Sequence, residues 1–231
     1  MTIGHEAVVA DRFDRLHGRF KPSVAAGDGR LLAVRERLEP LRGRRLLDLG
    51  CGKGRFAAHL RAAGAEVIGL DRSAAMLAGA EGLPRVLASA LRLPFAASTF
   101  DGVFAVEVFE HLTRIDDVLI ELRRVLRPGG IVAIVDKNAG SLNARRPWLP
   151  NLAVKWIDER RGLWMYPCDS EVRERWFWPR AFRRRLGRYF EDVGVSHLLS
   201  PSESGLALFR RVPSARLMTL WSARAPGVVD E

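Results

Sequence analysis

Short apolar runs alternate with amphipathic stretches over most of the first 136 residues. The stretches between the runs predict helices over 30–39, 55–63, 73–79 and 116–126. The runs themselves are typical of buried strands that enter turns. They predict strands at Arg45–Leu49, Glu66–Leu70, Arg85–Ala88, Asp101–Val106 and Ile131–Val135. Strands that alternate with helices at this spacing indicate βαβ units, and therefore an α/β fold around a parallel sheet.

This rhythm breaks over residues 138–178, which hold three prolines and five of the six tryptophans. It resumes with a predicted helix at Pro179–Arg188 and predicted strands at Val193–Leu199 and Leu217–Arg224. A segment of about 40 residues is too short to build an independent core. We therefore interpret 138–178 as an insertion that covers the binding edge of the sheet.

The most specific motif is a glycine-rich loop, LLDLGCGKGRF, at Leu46–Phe56. Gly50, Gly52 and Gly54 give it the spacing G-x-G-x-G, whereas a dinucleotide-binding loop needs G-x-G-x-x-G. Asp48 stands two residues before the first glycine. A carboxylate there repels a pyrophosphate and attracts a ligand ammonium group, so the loop favours a ligand with a cationic amino-acid end.

A second acid marks the end of the second predicted strand. Asp71 follows Gly54 by 17 residues, and the equivalent acid in dinucleotide folds accepts hydrogen bonds from ribose hydroxyls. The alternative is that Asp48 and Asp71 only cap the helices that follow their strands. An amino-acid end together with a ribose describes S-adenosylmethionine, which we expect as the cofactor.

Five motifs in order then resemble one family over residues 30–136. They are LLDLGCGKG, VIGLDRS, LASALRLPF, FDGVFAVEVFEHL and LRRVLRPGGIVAIVD. On these motifs the chain resembles the class I S-adenosylmethionine-dependent methyltransferases, in particular their type 11 group. The resemblance implies a Rossmann-like, seven-stranded methyltransferase sheet with an antiparallel last strand. An N-terminal helical segment would precede this sheet, and the Trp- and Arg-rich insertion would follow its fifth strand.

Within a single methyltransferase domain, 1–231, the resemblance implies four parts. They are an N-terminal helical cap (1–44), a cofactor-binding core (45–137), a substrate-side insertion (138–178), and a C-terminal helix with strands six and seven (179–231). It also assigns the cofactor site, in which Asp71 takes the ribose, and Arg72 and Met76 flank the adenine. The methionine end would be held by Asp48 and by the loop backbone at Gly50, Cys51, Gly52 and Gly54.

The third-strand motif departs from the family pattern. Many relatives bind the adenine amino group with an acid after the third strand, and Ser89 occupies that position here. The Ser89 hydroxyl, or the backbone of Ala90 and Leu91, would take this role. Relatives often carry a small residue at the loop position of Cys51, so steric fit explains this cysteine.

A narrower resemblance concerns the acceptor. HGRFKP at His17–Pro22, EVFEHL at Glu107–Leu112 and SLNA at Ser141–Ala144 are similar to segments of the ubiquinone-biosynthesis O-methyltransferases, as are Trp176, Pro179 and Phe182. The similarity implies O-methylation of a small-molecule acceptor, anionic or lipid-like, such as a phenol with a lipid tail. Residues 145–178 match this family poorly, so the acceptor itself is not carried over.

Catalysis by this family rests mainly on positioning, to which a base for the acceptor hydroxyl can be added. His111 is the best candidate base by residue type and place, and its alternative role is to cap or pack against the next helix. Glu107, at the end of the fourth predicted strand, is expected to face the cofactor or the acceptor. Glu107, Glu110 and His111 would together offer a divalent-metal site, although the reaction is expected to need no metal.

The net charge of +10 is local rather than general. Residues 46–144 are neutral, whereas residues 145–188 hold 12 basic and 5 acidic residues and five tryptophans. One interpretation is a lid whose arginines bind an anionic group and whose tryptophans wall the acceptor pocket. Another is peripheral membrane contact through 145–188. A third interpretation is nucleic-acid binding. A fourth is that many of these arginines form a solvated face.

The hydrophobic content, the cysteine count and the apolar runs exclude several classes of protein. The 48% hydrophobic content excludes disorder, and the two cysteines make no disulfide framework. The sequence contains no apolar run of signal-peptide or membrane-spanning type, so we expect a soluble, cytoplasmic protein. Two functions compete with small-molecule methylation: RNA methylation, and binding by a degenerate methyltransferase fold.

Overall fold

The structure is a computed structural model that describes residues 2–166, 170 and 172–227. Cys168 lies outside the described residues. The helices are α1 Thr2–Leu16, α2 Gly29–Leu38, α3 Ala57–Ala62, α4 Ala74–Ala78, α5 Ile115–Val125, α6 Asn151–Arg160, α7 Pro179–Leu186, α8 Pro201–Ser204 and α9 Ala207–Arg211. The strands are β1 Arg45–Leu49, β2 Glu66–Asp71, β3 Arg85–Leu87, β4 Phe100–Val106, β5 Leu126–Lys137, β6 Leu142–Asn143, β7 Arg146–Pro150, β8 Glu191–Leu198 and β9 Met218–Arg224.

Seven strands form one sheet in the order β3-β2-β1-β4-β5-β9-β8. The strands β1 to β5 pair in parallel, and β9 runs antiparallel to both β5 and β8. The last strand is therefore the antiparallel one, which confirms the predicted Rossmann-like methyltransferase sheet. The strand order reverses between β1 and β4, which opens a crevice at their carboxyl ends where ligands bind in such folds.

The central strands are apolar on both faces because helices cover both. In β1 every residue after Arg45 is buried, and β4 is buried except for Asp101. Helix α5 packs one apolar stripe on the sheet and begins with acids, as the helix dipole favours. These layers fix the loops after β1, β2 and β4 at the crevice.

The sequence analysis predicted a helical N-terminal segment without the bounds of α1, and it did not predict β6, β7, α6, α8 or α9. Helix α1 contacts α4 at the carboxyl edge of the sheet. The insertion begins with a hairpin, β6–β7, followed directly by α6. None of the helices in the described part of the chain has the length and apolar character needed to cross a bilayer.

Candidate active site

One cavity opens in the crevice, and residues from five parts of the chain line it. The loop after β1, the ends of β2 and β4, helix α1 and the insertion all contribute. Its lining includes the predicted residues Asp48, Gly50, Cys51, Gly52, Asp71, Arg72, Met76, Ala90, Glu107 and His111. Sequence reasoning missed others, among them Glu6, Phe13, Arg55, Lys137, Met165 and Glu174.

The glycine loop brings backbone, rather than side chains, to the cavity. Gly50, Gly52 and Gly54 all adopt positive φ, at 70°, 53° and 73°, which favours glycine. A Cβ on Gly50 would lie 2.5 Å from Val108 Cγ2, and one on Gly52 would lie 2.9 Å from Met76 Cε. Larger residues would therefore clash at the positions where a ligand approaches the backbone.

Asp48 is an acid that the fold itself leaves unsatisfied. Its side chain is buried, and no donor in residues 2–166, 170 or 172–227 bonds to its Oδ2 atom. Burial, and next the charge of Asp71, raise the pKa of Asp48 well above its usual value. A buried acceptor without a partner is costly, and a ligand ammonium group would satisfy it. This orphaned oxygen beside the glycine loop fits the amino-acid end of S-adenosylmethionine.

Asp71 is held in place by backbone donors. Gly52 N donates to its Oδ2 at 2.8 Å, and Ser73 N donates to its Oδ1 at 2.9 Å. Ser73 in turn caps α4, because its Oγ accepts from Met76 N at 3.1 Å. The loop, the acid and helix α4, which carries Met76 and follows Arg72, are therefore tied together.

Ser89 and Leu91 lie behind the cavity wall that Ala88 and Ala90 form. Leu91 N donates to Ser89 Oγ at 3.0 Å, and Ser89 Oγ donates to Glu6 Oε1 at 2.6 Å. Glu6, which does line the cavity, comes from α1. A carboxylate therefore stands beside the place where Ser89 departs from the family pattern.

Helix α1 covers the cavity and bonds to both of its ends. Asp14 Oδ1 accepts from Ser73 Oγ at 2.5 Å and from Ala75 N at 3.0 Å. At the other end, Arg12 Nε donates to Met165 O at 2.8 Å. The lid over this cavity is therefore largely N-terminal.

His111 lines the cavity and packs against aromatic rings. Phe13 meets its ring edge-on at 5.1 Å, and the Tyr166 hydroxyl lies 3.3 Å from its Nδ1. Burial lowers the pKa of His111 to about 4. The imidazole is therefore neutral near pH 7 and able to accept a proton.

Lys137 supplies the positive charge among the acids beside His111. Its Nζ lies 2.6 and 2.8 Å from the Glu110 carboxylate oxygens and 3.5 Å from Glu174 Oε2. Burial alone would lower the pKa of Lys137, but the nearby carboxylates outweigh it and raise that pKa. Burial, followed by the charge of Asp136, raises the pKa of Glu110.

The metal set that the sequence left as an alternative, Glu107, Glu110 and His111, differs from the cluster that the structure brings together. The ligand atoms of Glu110, His111 and Glu174 lie within 4.8 Å of one another, with the ammonium group of Lys137 already bound among the acids. Glu107 lies between cations: its Oε2 accepts from Arg30 Nη1 at 2.5 Å and lies 3.6 Å from Arg55, and its Oε1 lies 3.9 Å from Lys137 Nζ. Its φ of 59° turns it away from the continuing strand direction.

The predicted tryptophan walls of the acceptor pocket are wrong. Within the described lining, the insertion contributes Met165 and Glu174. Trp148, Trp156 and Trp178 are exposed by 79%, 54% and 61%. The indoles of Trp164 and Trp176 donate to Glu174, so they orient an acid of the cavity rather than lining it.

Comparisons with known proteins bear on this site. The methyltransferase-domain family model matches residues 47–134. The malonyl-acyl-carrier-protein O-methyltransferase of Salmonella typhimurium is 30% identical over 190 residues, which cover 74% of this chain and 73% of that protein. The chain belongs to the class I S-adenosylmethionine-dependent methyltransferases.

Other matches to this methyltransferase are shorter or more distant. A ubiquinone-biosynthesis O-methyltransferase of Mesorhizobium japonicum is 33% identical over 141 residues, covering 53% of this chain and 57% of that protein. For several other curated relatives the match spans about half of their length or less. The crystal structure of a (4+2)-cyclase, SpnF, superposes with a TM-score of 0.68 over 96% of this chain and 97% of that one; at 17% identity it shows the fold alone.

The buried His111 of this methyltransferase makes its stability depend on pH. Its pKa is about 4 when folded, against 6.5 for an ordinary histidine. Between these values the unfolded chain binds a proton that the folded chain refuses, so stability falls as pH is lowered. The shift corresponds to roughly 3 kcal/mol at most.

Urea denaturation at pH 7 and pH 4.5 should show this dependence. The free energy of unfolding should fall by about 2–3 kcal/mol more in the wild type than in His111→Gln. The comparison with the variant removes the contributions of other groups that titrate in this range. Equal losses in the two proteins would contradict the assignment of a neutral, buried His111.

Proposed function

We propose that this enzyme transfers a methyl group to a hydroxyl oxygen of a small, largely apolar acceptor. The observation that carries the proposal is one cavity lined both by Asp48, whose Oδ2 has no donor within the described residues, and by the neutral His111. The two relatives described above are named O-methyltransferases, which supports oxygen as the acceptor atom.

The cofactor-binding roles follow from the geometry of the loop. Asp48 binds the ammonium group, the backbone of Gly50, Cys51, Gly52 and Gly54 cradles the methionine end, and Asp71 binds the ribose. Arg72 and Met76 flank the adenine, with Ala90 in the wall beside it. When bound, S-adenosylmethionine supplies an electrophilic methyl group on a sulfonium sulfur.

His111 acts as the general base in this proposal. It accepts the acceptor's hydroxyl proton as the oxygen forms its bond to the methyl carbon and the sulfur–methyl bond breaks. The ring is uncharged near pH 7 and therefore able to accept that proton, while the burial that keeps it uncharged also makes it a weak base. Glu110 Oε1 lies 3.4 Å from Nε2 and orients the ring, while Tyr166 stands at Nδ1 where an acceptor hydroxyl would replace it.

Charges at the acceptor end favour an uncharged acceptor. Glu110, Glu174 and Lys137 neutralise one another in part. The exposed arginines of residues 145–188 lie outside the described lining. Glu107 is already paired with Arg30, whose pKa rises through its bond to Asp28 and the charge of Glu107. The lining is apolar at Val9, Phe20 and Leu112, among others, and its six acidic side chains outnumber its five basic ones, so it offers no excess positive charge to an anionic acceptor. A phenol or similar hydroxyl with an apolar body fits this lining better than an anionic acceptor.

Glu6 takes the adenine amino group in place of the missing acid. Its carboxylate lines the cavity beside Ala88 and Ala90 and is fixed by Ser89 Oγ. Glu6→Gln keeps the acceptor oxygen for Ser89 but removes the charge, so cofactor affinity should fall about three- to tenfold, as for one charge-assisted hydrogen bond in a partly exposed place.

Calorimetry with S-adenosylhomocysteine measures this affinity directly. The matched control is Glu36→Gln, an exposed acid on α2 outside the described lining. A Glu6→Gln protein that binds as tightly as the wild type would remove Glu6 from the site.

The proposal is tested by incubating the enzyme with cell extract and methyl-labelled S-adenosylmethionine, and then analysing the small-molecule and RNA fractions by mass spectrometry. Label in an apolar hydroxylated small molecule is the expected result. Label in RNA would favour the competing nucleic-acid function, with binding that weakens steeply as salt rises. Cofactor binding without transfer into any fraction would support a non-catalytic binding module.

A further inference from the structure

Helix α6 buries polar side chains and exposes apolar ones, the reverse of an ordinary amphipathic helix. Asn151, Lys155 and Glu159 form its buried face, whereas Leu152 and Trp156 on another face are 37% and 54% exposed. The buried polar groups are satisfied, since Asn151 Nδ2 donates to the Leu142 carbonyl at 2.8 Å and Lys155 pairs with Glu159. The helix therefore docks through its polar residues and presents apolar ones to solvent.

Elements near α6 in the insertion also expose apolar side chains. Trp148 on β7 is 79% exposed, and Leu163, just beyond α6, is 71% exposed. The ring of Trp178 lies against the chain at Gly140, where a Cβ would come within 3.2 Å of its Cζ3. We refer to these side chains together as the tryptophan surface: Trp148, Leu152, Trp156, Leu163 and Trp178.

Exposed arginines surround the tryptophan surface. Arg145 and Arg146 precede Trp148 along the chain, and Arg160 and Arg161 follow Trp156. The Arg160 guanidinium stacks on the Trp156 ring at 4.1 Å from its centroid. Residues 145–188 as a whole have a net charge of +7. The surface therefore combines apolar area with positive charge, the pattern of an amphipathic segment that lies at an anionic lipid interface.

We propose that the tryptophan surface docks this enzyme onto an anionic phospholipid bilayer. Indole rings favour the headgroup region and arginines favour anionic headgroups, so a bilayer accommodates every member of the surface. A nucleic acid would pair with the arginines and stack on the tryptophans but leave Leu152 and Leu163 in water. A second copy docked through the same patch would place arginines against arginines.

The proposal is independent of the acceptor and of the chemical step. It nevertheless relates the cavity to the bilayer, because the insertion that carries the tryptophan surface also contributes Met165 and Glu174 to the cavity lining. Docking would bring that wall close to the bilayer, from which an acceptor with a lipid tail would reach the cavity.

Vesicle co-sedimentation tests the proposal. The full-length protein is mixed with vesicles of phosphatidylcholine alone or with one quarter phosphatidylglycerol, alongside a Trp148→Ser/Trp156→Ser double variant. The control is Leu87→Ser/Ile120→Ser, which removes two apolar side chains with 54% and 51% exposure outside the insertion. We expect binding to the anionic vesicles that falls at least tenfold in the tryptophan variant and stays unchanged in the control.

Three other outcomes would overturn the proposal. They are equal vesicle binding by the tryptophan variant and the wild type, RNA binding without vesicle binding, and a wild-type dimer that the tryptophan variant converts to a monomer. Calorimetry with S-adenosylhomocysteine on the same variants checks that they fold and keep the cofactor site. Loss of vesicle binding with intact cofactor binding separates this proposal from that of methyl transfer.

Discussion

Asp48→Asn should lower the affinity for S-adenosylmethionine and S-adenosylhomocysteine by roughly 30- to 150-fold. The substitution removes the charge that pairs with the cofactor ammonium group in a buried setting, where a charge-assisted hydrogen bond is worth about 2–3 kcal/mol. The fold itself does not depend on the charge, because Asp48 Oδ2 has no donor within the described residues. The variant should therefore unfold at a temperature close to that of the wild type.

Calorimetry in buffers of different ionisation enthalpy adds a second readout. The pKa of Asp48 is raised in the free protein, and a bound ammonium group would lower it. Cofactor binding should then release a proton, and affinity should rise with pH. Asp117→Asn, at a surface acid on α5 that pairs with Arg114, is the matched control. An Asp48→Asn protein that binds within threefold of the wild type would show that the ammonium group is held elsewhere.

His111→Gln should lower kcat by about 10²- to 10⁴-fold, the range expected for loss of a general base. Cofactor affinity should stay the same, because His111 lies at the acceptor end of the cavity. The pKa of about 4 predicts that the wild-type kcat is not limited by protonation of this residue above about pH 5.

The variant Tyr166→Phe distinguishes a role of His111 as a base from a role in packing. It removes the hydroxyl that lies 3.3 Å from His111 Nδ1 but leaves the imidazole in place, so its effect on kcat should be much smaller. A His111→Gln enzyme with kcat within fivefold of the wild type would mean that positioning alone supports the reaction.

Local sequence patterns predicted a cofactor site at the carboxyl ends of the first two strands. The glycine loop, Asp48 and Asp71 lie on consecutive βα units, so their spacing along the chain determines their geometry at the sheet edge. The family resemblance, rather than the pattern, predicted the seven-stranded sheet and its antiparallel last strand, and the structure confirms both. Asp48, Gly50 and Asp71 line one cavity, and their roles toward the cofactor stay predictions.

Long-range contacts explain what the sequence did not predict. Glu6 meets Ser89 from 83 residues away, and no motif marks α1 as a lid. Lys137 and Glu174 join Glu110 through tertiary packing, which spacing along one turn does not reveal. The alternative metal set differs from the observed cluster for this reason: Glu107 and Glu110 are close in sequence, but the Glu107 carboxylate lies between Arg30 and Lys137, and Glu174 joins Glu110 and His111 instead.

The structure changes the interpretation of the basic, tryptophan-rich segment, residues 145–188. Composition placed arginine and tryptophan in one segment and left open a pocket lid, a membrane surface or a nucleic-acid site. The sequence did not predict which of these tryptophans are exposed, because the reversal of α6 depends on partners for Asn151, Lys155 and Glu159. With Trp148, Trp156 and Trp178 outside the described cavity lining, charge and apolar surface favour the bilayer.

The measurement that tests the central claim most directly is carbon-13 NMR of the product formed from S-adenosylmethionine labelled in its methyl group. The carbon shift distinguishes a methyl on oxygen from one on nitrogen, carbon or sulfur. We predict a single new methoxy resonance in the small-molecule fraction, lost with Asp48→Asn and strongly reduced with His111→Gln. An N-methyl resonance, or a methoxy resonance of full intensity with both variants, would contradict the account.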